Sequence, residues 1–347
     1  MKTNIRLGMV GAGNIGRVHL DAFRRVTGVE VTAVCDVDAG RAKSAAKEFG
    51  VPHIFTDIAD LLADDAVDAV SVCTPNNTHM PLAIAALKAG KHVLCEKPVA
   101  MNAREARKMV AAAERAGRIL MAGQSSRYSA SARYLKKQAD AGRFGRIYYG
   151  KAIWLRRAGI PRGWFQDAKQ AAAGPLVDLG VHAIDLLWWL MGRPKPVSAY
   201  GVTFDHLGRS GQGMGDWGVG YGPAKFSVED MVGGMIRFED GRALSLDISW
   251  AAHTADLFWV RFLGAKGGAQ IYPDPVIYEN DGKIELDVSP RLAQSNPYLV
   301  ENQHFVDCIR RGEEPISPGS QAVTVMQMLD ALSAAAKTGR MAPIRTA

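Results

Sequence analysis

Short apolar runs and amphipathic stretches alternate along the first third of the chain. The amphipathic stretches begin at a side-chain cap and end at glycine, as from Asp38 to Gly50 and from Asn102 to Gly117, which is typical of helices with defined ends. The apolar runs are short and mostly apolar, as expected of parallel strands that are covered on both faces. They occupy residues 5–10, 29–35, 67–74, 92–96 and 119–123. The alternation predicts an α/β domain over residues 1–125, built on a doubly wound parallel sheet.

The pattern changes from Ile147 onwards. In residues 242–250 apolar and polar positions alternate, so that every second residue from Leu244 to Trp250 lies on one face of a strand. Further strand patterns occupy residues 258–263 and 276–278, and helical patterns occupy residues 301–310 and 321–337. These features predict a second, α+β domain over residues 126–347, with a largely antiparallel sheet that packs one face on its own helices.

The other face of this sheet is predicted to be open. Trp250, Leu257, Phe258 and Trp259 are too apolar for stable exposure to water, and a large apolar surface of this kind is typical of subunit interfaces. We therefore expect a homodimer or homotetramer assembled through the C-terminal sheet.

Residues 208–222 are rich in glycine and too long for a tight turn. They form either a mobile loop near a site or a flexible surface excursion, and the sequence does not separate the two.

Charge and cysteine content narrow the class of protein. The chain has 347 residues and a formal net charge of +7, carried by dispersed lysines and arginines, so we expect no nucleic-acid partner. The excess suits an anionic cofactor or substrate, although a solvated surface also explains it. The four cysteines lack zinc spacing, which predicts core thiols in a reducing cytoplasm and no metal site. With neither a signal peptide nor an apolar stretch near the roughly 20 residues of a membrane span, we expect a cytoplasmic protein.

The first strand leads directly into the glycine-rich turn of residues 11–16 (GAGNIG), and a helical pattern follows. Gly11 suits a tight turn, Gly13 leaves room for a pyrophosphate, and Gly16 lets the helix approach its strand, which is the dinucleotide-binding pattern of a Rossmann domain. The helix N–H groups, from Asn14 and Ile15 onwards, then face the phosphates.

The second strand ends at Asp36, 20 residues after Gly16. An acid at this spacing accepts both hydroxyls of the adenosine ribose and repels a 2′-phosphate, so NAD is favoured over NADP. Arg41 in the next helix also belongs to the predicted cofactor site, and it would pair with a 2′-phosphate if its side chain pointed inward.

Polar groups follow three further strands of the predicted sheet, and ligands bind at such strand ends. The segments are residues 74–79 (TPNNTH), 96–98 (EKP) and 123–127 (GQSSR). Thr78 is equally explained as a helix cap, and Lys97 as a solvated lysine. The predicted cofactor contacts from these ends are Thr74, Pro75, Asn76, His79, Glu96 and Gln124.

A second polar cluster lies in a helical pattern from Pro175 to Gly192. Asp178, His182 and Asp185 are spaced by four and three residues and therefore share one face. One interpretation is the wet face of an amphipathic helix. The other faces are almost wholly apolar, however, and unpaired charge is costly inside a protein, so we interpret the cluster as a functional site.

Five motifs together resemble the Gfo/Idh/MocA family of glucose-fructose oxidoreductases and inositol dehydrogenases. They are GAGNIG, CTPNNTH, EKP, GPLVDLGVHAID and ENQHF, at residues 11–16, 73–79, 96–98, 174–185 and 301–305. The resemblance implies that Lys97 and His182 are the catalytic pair, that Asp178 binds and orients the substrate, and that Glu96 holds the nicotinamide ribose. It also implies a cis peptide before Pro98.

One departure from the family pattern precedes the fourth motif. The usual glycine run is replaced by Ala172-Ala173-Gly174, which leaves the shape of this loop open.

The residue chemistry agrees with oxidation of a secondary alcohol. Histidine is a suitable base for the hydroxyl proton, and a lysine cation stabilises the developing alkoxide. We therefore predict an NAD-dependent dehydrogenase acting on a monosaccharide, sugar derivative or cyclitol. The arginines and indoles of residues 154–165 suit a polyhydroxylated or acidic ring, but core tryptophan with surface arginine explains them as well. The predicted substrate contacts, besides the catalytic residues, are Arg127, Arg156, Arg157 and Trp164.

Three alternative functions remain open from the sequence alone. An NAD-retaining glycosidase releases sugar without net NADH. A sugar ketoreductase or aldose-aldose oxidoreductase works with tightly held cofactor. A non-enzymatic NAD-sensing regulator shares the fold, but the intact Lys97, Asp178 and His182 argue against it.

Overall fold

The computed structural model describes residues 4–219 and 226–345. Its contacts divide the chain into two units. The first unit consists of Met1–Ser125 and Ser295–Val323, and the second of Ser126–Gln294 and Thr324–Ala347. Each unit has its own sheet and its own buried core.

The strands and helices are numbered in chain order. The strands are β1 (Ile5–Val10), β2 (Val29–Cys35), β3 (His53–Phe55), β4 (Ala69–Val72), β5 (His92–Glu96), β6 (Leu120–Gly123), β7 (Ile147–Leu155), β8 (Ile160–Gly163), β9 (Pro196–Phe204), β10 (Met214–Val219), β11 (Met231–Phe238), β12 (Ala243–Ser249), β13 (Leu257–Gly264), β14 (Gly268–Tyr272), β15 (Val276–Asp281), β16 (Ile284–Val288) and β17 (Ala342–Pro343). The helices are α1 (Asn14–Phe23), α2 (Ala39–Phe49), α3 (Ile58–Ala63), α4 (Asn76–Lys88), α5 (Ala103–Ala116), α6 (Ala130–Asp140), α7 (Ala168–Ala171), α8 (Val181–Leu190), α9 (His206–Arg209), α10 (Pro297–Arg311) and α11 (Gly319–Thr338).

The first unit is built on a six-stranded parallel sheet in the order β3-β2-β1-β4-β5-β6. Every residue of β4 and β6 is buried, because the sheet is covered on both faces. The predicted doubly wound sheet is confirmed. Its strand order reverses between β1 and β4, and ligands of such sheets bind beside that reversal.

The helix ends of the first unit follow the predicted caps. Asp38 accepts a hydrogen bond from the backbone N–H of Arg41, and α2 ends at Gly50 in the left-handed conformation. Asn102 caps α5 in the same way, and this helix ends at Gly117, also left-handed. These short-range signals fix where the helices begin and end.

The segment Ser295–Val323 belongs to the first unit, whereas the sequence pattern assigned it to the second domain. Its helix α10 packs against α1. Gln303 accepts a hydrogen bond from the backbone N–H of Thr27, at 2.9 Å, and Gly28 lies directly against the side chain of Arg310. The pattern revealed this helix but not the partner against which it packs.

The second unit contains a nine-stranded sheet in the order β16-β15-β14-β13-β7-β12-β11-β9-β17. Its pairs are antiparallel except for β7 with β12, so the predicted largely antiparallel sheet is confirmed. Leu244, Leu246 and Ile248 of β12 are buried on the core face, as expected.

The opposite face of this sheet carries exposed apolar side chains. Tyr200, Val202 and Phe204 of β9 are 48%, 40% and 45% exposed, and Met235, the cross-strand partner of Tyr200, is 47% exposed. Gly201, which points the other way, lies against Leu332 of α11 on the core side.

The predicted members of the open face divide into three groups. Leu257 is exposed as expected, while Phe258 and Trp259 are intermediate. Trp250 is fully buried, so its assignment to the open face was wrong. The side chain points into the core, where its N–H finds an acceptor.

The glycine-rich segment is organised over the residues that the structure describes. It contains the end of α9 and then β10, which pairs with β8 in a two-stranded parallel sheet. Residues 220–222, the last of the predicted loop, lie outside the described residues.

One helical stretch is long and apolar enough to cross a membrane by length and composition, contrary to the expectation from the sequence. This stretch is Ala168–Leu190, and 83% of its most apolar 18-residue part is buried within the protein. Such burial is that of a core helix, and the stretch contains Asp178 and Asp185. The four cysteines are free and buried, as predicted.

Candidate active site

The glycine turn after β1 has the shape that its residues predict. Gly11 has a φ of +96°, and a Cβ there would collide with the carbonyl of Cys73. A Cβ at Gly16 would overlap the carbonyl oxygen of Gly11. Gly13, by contrast, faces open space, immediately before α1 begins at Asn14. Free N–H groups and open space at a helix start suit a phosphate group.

Asp36 ties the end of β2 to this turn. Its Oδ2 accepts a hydrogen bond from the backbone N–H of Ala12, at 2.9 Å, and its Oδ1 accepts one from the Arg41 side chain, also at 2.9 Å. Burial opposes ionisation of this carboxyl, but hydrogen bonds from Arg41, Ala12 and Asp38 outweigh it and lower the pKa of Asp36 below its ordinary value. The carboxylate is therefore charged and fixed beside the glycine turn.

Side chains of the TPNNTH segment bond to each other and to nearby loops. The Thr78 hydroxyl lies 2.7 Å from the Thr74 hydroxyl and 2.7 Å from the carbonyl oxygen of Pro75, but Thr78 lies inside α4 and does not cap it, because the helix begins after Pro75 with no side-chain cap. His79 is buried, and its ring nitrogens lie 2.8 Å from the carbonyl oxygens of Pro98 and Thr74. Its assignment as a cofactor contact does not fit these bonds, because both ring nitrogens already lie against carbonyl oxygens of two loops.

Glu96 is buried in a cluster that the sequence analysis missed. Its Oε1 lies 2.9 Å from Nε2 of His19, and its Oε2 accepts a hydrogen bond from the backbone N–H of Lys97. Nδ1 of His19 lies 3.1 Å from Oδ1 of Asn302. Glu301 is buried beside them. One of its carboxylate oxygens lies within 4.8 Å of a ring nitrogen of His19 and of a carboxylate oxygen of Glu96. The position of the carboxyl end of β5 is thus fixed by residues of α1 and α10.

Lys97 and Gln124 follow β5 and β6. The Lys97–Pro98 peptide bond is cis, as the resemblance implied, and the Lys97 side chain is partly exposed. Gln124 is buried, and its Oε1 has no hydrogen-bond partner among the residues that the structure describes. A buried oxygen of this kind is available to a ligand N–H, which agrees with the predicted cofactor contact.

In the second unit, the helical pattern from Pro175 begins as a π-helical turn, Leu176–Gly180, and continues as α8. π turns inside helices are frequent at functional sites. Glu229 accepts a hydrogen bond from the backbone N–H of Leu176, at 3.1 Å. Burial raises the pKa of Glu229, against the effect of the backbone N–H groups of Gly174 and Leu176. This side chain holds the first turn in place.

The loop before this turn shows the consequence of the replaced glycines. A Cβ at Gly174 would overlap the carbonyl oxygen of Glu229, so the retained glycine is required. Ala172 has a φ of +75° and a ψ of −51°, a conformation that is strained for alanine. The chain keeps the turn despite the substitution.

A cleft of about 500 Å³ lies within the second unit. His182 lines it, with Nδ1 3.5 Å from the Ser126 hydroxyl and the ring 6.4 Å from that of Trp154. The Oδ2 of Asp178 accepts a 2.9 Å hydrogen bond from the indole N–H of Trp250. The residues that line the cleft are Trp154, Arg156, Ala158, Gly159, Asp178, Leu179, His182, Gly215, Asp216 and Trp217.

Of the predicted substrate contacts, the cleft contains Arg156 but not Arg127, Arg157 or Trp164. Arg127 is fully buried and bonds both carboxylate oxygens of Asp185, at 2.7 and 2.6 Å. Both residues belong to an internal ion pair, so their interpretation as site residues was wrong. Arg157 is exposed, and Trp164 stacks on Phe165.

Sequence patterns did not reveal Trp217 and Asp216 as cleft residues or Trp250 as the partner of Asp178. The first two lie in the glycine-rich segment, where no periodic pattern marked them. Trp250 was instead assigned to the open face of the sheet. A buried indole places its N–H against an acceptor, and this is the signal that could have pointed to a nearby polar group.

Comparisons with known proteins agree with this architecture. Residues 5–124 match the GFO/IDH/MocA oxidoreductase family, NAD-binding Rossmann fold, and residues 132–270 match the GFO/IDH/MocA C-terminal domain. The chain is 32% identical to D-glucoside 3-dehydrogenase of Escherichia coli over 96% of each chain, and 30% identical to 1,5-anhydro-D-fructose reductase of Ensifer adhaerens over 98% of this chain and 99% of that one. Levoglucosan dehydrogenase in complex with NADH and L-sorbose has the same fold, with a TM-score of 0.86, 21% identity and coverage of 99% and 100%.

The chain therefore belongs to the Gfo/Idh/MocA oxidoreductase family, as the sequence motifs predicted. It is an oxidoreductase that acts on CH–OH groups and uses NAD, and the two relatives named above carry the names of sugar-specific enzymes.

Proposed function

We propose that this protein oxidises a secondary hydroxyl of a monosaccharide, sugar derivative or cyclitol by hydride transfer to NAD. The observation that carries the proposal is the cleft of the second unit, which is lined by His182 and by Asp178, two residues of the family motif. A fixed carboxylate and an imidazole in one polar cleft suit a substrate with several hydroxyl groups.

The first unit is suited to hold the dinucleotide. Gly13 leaves room for the pyrophosphate, Asp36 is placed for the adenosine ribose, and Glu96 and Gln124 are assigned to the nicotinamide half. The remaining proposed contacts are Gly11, Asn14, Ile15, Gly16, Arg41, Thr74, Pro75 and Asn76. When bound, NAD accepts a hydride from the substrate carbon.

His182 is the proposed general base, which removes the hydroxyl proton as the carbonyl forms. Asp178 is proposed to accept a hydrogen bond from a substrate hydroxyl, with its carboxylate held in place by the indole N–H of Trp250. Lys97 is proposed to stabilise negative charge on the reacting oxygen. Each of these roles follows from the place of the residue in a family motif.

The test is NADH formation by the purified protein over a panel of sugars, glycosides, cyclitols and anhydrosugars. We expect absorbance of NADH with at least one sugar or cyclitol, with a matched loss of the substrate. Release of free sugar from a glycoside without NADH would indicate an NAD-retaining glycosidase. Product formation without free NADH, together with cofactor that survives gel filtration, would indicate an aldose-aldose oxidoreductase.

Reduction of a keto sugar is the second candidate function. It is favoured by the 30% identity to a 1,5-anhydro-D-fructose reductase over nearly the whole chain. Rates measured in both directions at pH 7, with NAD plus alcohol and with NADH plus ketone, decide between the two.

The cofactor preference is tested on the same substrate. We expect kcat/KM with NAD to exceed that with NADP, because the Asp36 carboxylate repels a 2′-phosphate. Asp36→Ser should reduce the preference by at least about tenfold. An NADP preference in the native enzyme would assign Arg41 to the 2′-phosphate instead.

We also propose a cytoplasmic homodimer or homotetramer, assembled through the open face of the nine-stranded sheet. The apolar side chains of Tyr200, Val202, Phe204 and Met235 support this assembly.

A further inference from the structure

Strand β10 contains a bulge that places two side chains in the cleft. Met214 pairs with Ile160 and Gly218 pairs with Arg162, so residues 215–217 face a single residue of β8. Bulges redirect side chains and are common beside active sites. Here Asp216 and Trp217 line the cleft.

The bulge is closely fitted to its neighbours. The indole N–H of Trp217 donates a 2.9 Å hydrogen bond to the carbonyl of Gly159, and the Phe165 ring packs edge-on at 5.2 Å. A Cβ at Gly215 would lie 3.0 Å from Cα of Gly159, and one at Gly218 would collide with the backbone of Arg162. The glycines of this segment therefore allow close approach of two strands, and the indole has one defined position.

Trp217 lies at one end of a row of side chains that begins at His182. The His182 ring is 6.4 Å from the ring of Trp154, whose centroid is 5.5 Å from the guanidinium carbon of Arg156. The same carbon is 5.6 Å from the centroid of Trp217. Arg156 thus joins the two indoles into one wall, which runs from the proposed base to Trp217.

The composition of the wall favours a neutral, hydroxyl-rich ligand. Indole faces pack against the C–H faces of sugar rings, guanidinium N–H groups donate to hydroxyl oxygens, and carboxylates accept from hydroxyls. Asp178 lines the same cleft as Arg156, and Asp216 in the lining lies 3.9 Å from the guanidinium of Arg162. Two carboxylates therefore stand against two arginines, and this balance leaves no surplus cation for an anionic group. A volume of about 500 Å³ is that of a site for a drug-sized ligand, and a single sugar ring is smaller than such a ligand.

We propose that Trp217 and Arg156 form a subsite for the second ring of a glycoside, and that the preferred substrate is a two-ring glycoside oxidised on the ring next to His182. This inference rests on the proposed function, because it takes His182 as the residue at the reacting hydroxyl. It assigns a purpose to residues 215–217 of the glycine-rich segment, namely recognition of the group attached to the reacting sugar.

The test compares matched probes, the methyl and p-nitrophenyl glucosides of each anomer. These pairs share the sugar ring and linkage and differ in the second ring. We expect kcat/KM to be at least about tenfold higher for the p-nitrophenyl member of the accepted anomer. Trp217→Ala should abolish that preference and leave the methyl glucoside within about threefold of its native value.

Two further variants control for loss of structure. Trp164→Ala removes an indole from the neighbouring stack on Phe165, outside the cleft, and should affect both probes equally. Trp217→Phe keeps a ring in place but loses the bond to Gly159, and should retain most of the preference. An equal loss on both probes in Trp217→Ala would overturn the inference, as would an effect confined to the KM for NAD.

A binding measurement separates this inference from the proposed function. Calorimetric titration of both probes in the presence of NADH reports affinity without turnover. If no sugar yields NADH but the p-nitrophenyl glucoside binds through Trp217, the proposed reaction fails and the subsite stands. If NADH forms while both probes bind alike, the reaction stands and the subsite fails.

Discussion

Trp250 donates its indole N–H to the carboxylate of Asp178, at 2.9 Å. Trp250 follows β12 and is fully buried, and Asp178 lies in the π turn before α8 with only 8% of its surface exposed. A hydrogen bond to a charged group from a fixed donor restricts where the carboxylate points. The core of the sheet therefore sets the direction of a residue that we propose to bind substrate.

Trp250→Phe tests this positioning. The variant keeps an aromatic ring in the core and removes the N–H, so we expect kcat/KM for the sugar to fall about tenfold, the scale of a charged hydrogen bond, while the KM for NAD is unchanged. Trp188→Phe is the matched control, since Trp188 is also buried but donates to the carbonyl of Pro194. Equal kinetic losses in the two variants would show that general core damage, and not the bond to Asp178, is responsible.

The proposed roles of Lys97 and His182 predict different kinetic defects. Lys97→Met removes a charge that matters in the transition state, so kcat should fall about 10²-fold or more with little change in NAD binding. His182→Ala removes the proposed base, so kcat should fall by a factor of order 10² to 10⁴. If both act on one hydroxyl, the double variant loses less than the product of the single losses.

Lys88→Met, at an exposed position at the end of α4, controls for loss of a surface cation. A Lys97→Met enzyme with native kcat would contradict the proposed chemistry and favour the glycosidase or sensor alternatives.

Asp36 predicts an acid-dependent loss of stability. Its pKa is lowered in the folded state, so the unfolded chain binds protons more readily as the pH falls. The stabilising contribution is therefore complete above the unfolded pKa of about 3.9 and is lost as the pH falls through the lower folded value. Urea unfolding gives the free energy of unfolding of the native protein and of Asp36→Asn between pH 3 and 7. The difference between the two free energies should shrink towards the acid end of this range. A difference that does not change with pH would show that the carboxylate charge does not stabilise this turn.

Ala172→Gly should stabilise the protein. Relief of the strained φ of +75° is worth roughly 1–2 kcal/mol, against about 0.5–1 kcal/mol for the added freedom of glycine when unfolded. We expect a net gain of about 0.5–1 kcal/mol and a Tm higher by roughly 1–4 °C. Ala173→Gly, next to it and without a positive φ, should lower the Tm. A lower Tm for Ala172→Gly would mean that its neighbours stabilise the alanine conformation.

The open sheet face predicts self-association. Light scattering at micromolar concentration should give a dimer or tetramer, and Tyr200→Lys with Phe204→Lys should shift it to monomer, because the charges would be buried at the interface. Ile54→Lys, an exposed apolar position on β3, should leave the assembly intact. A monomeric native protein would refute this prediction.

Local signals predicted most of the fold. The caps at Asp38 and Asn102, the glycine turn and the alternation from Leu244 each depend on residues that are neighbours in sequence. The errors share a different origin. Arg127 pairs with Asp185, 58 residues away, and His79 bridges to Pro98. A polar residue in a motif looks the same whether it faces a ligand or a distant partner, and only the folded chain distinguishes them.

In the candidate site, too, residues marked by local sequence patterns could be predicted, and residues placed by distant contacts could not. Asp178 and His182 could be found because they share one helical face within a motif. Trp217 could not, because its position depends on a bulge whose register is set by Gly159 and Arg162, more than fifty residues earlier.

The return of α10 to the first unit has a consequence for how the protein is made. A ribosome adds about 5–20 residues per second, so residues 126–294, which separate the two parts of this unit, take on the order of ten to thirty seconds to emerge. During that interval the nascent nucleotide-binding module lacks the helix that supplies Asn302 to His19. The first unit is therefore complete only once residues 295–323 have been synthesised, and a chain that stops at residue 125 lacks part of that unit.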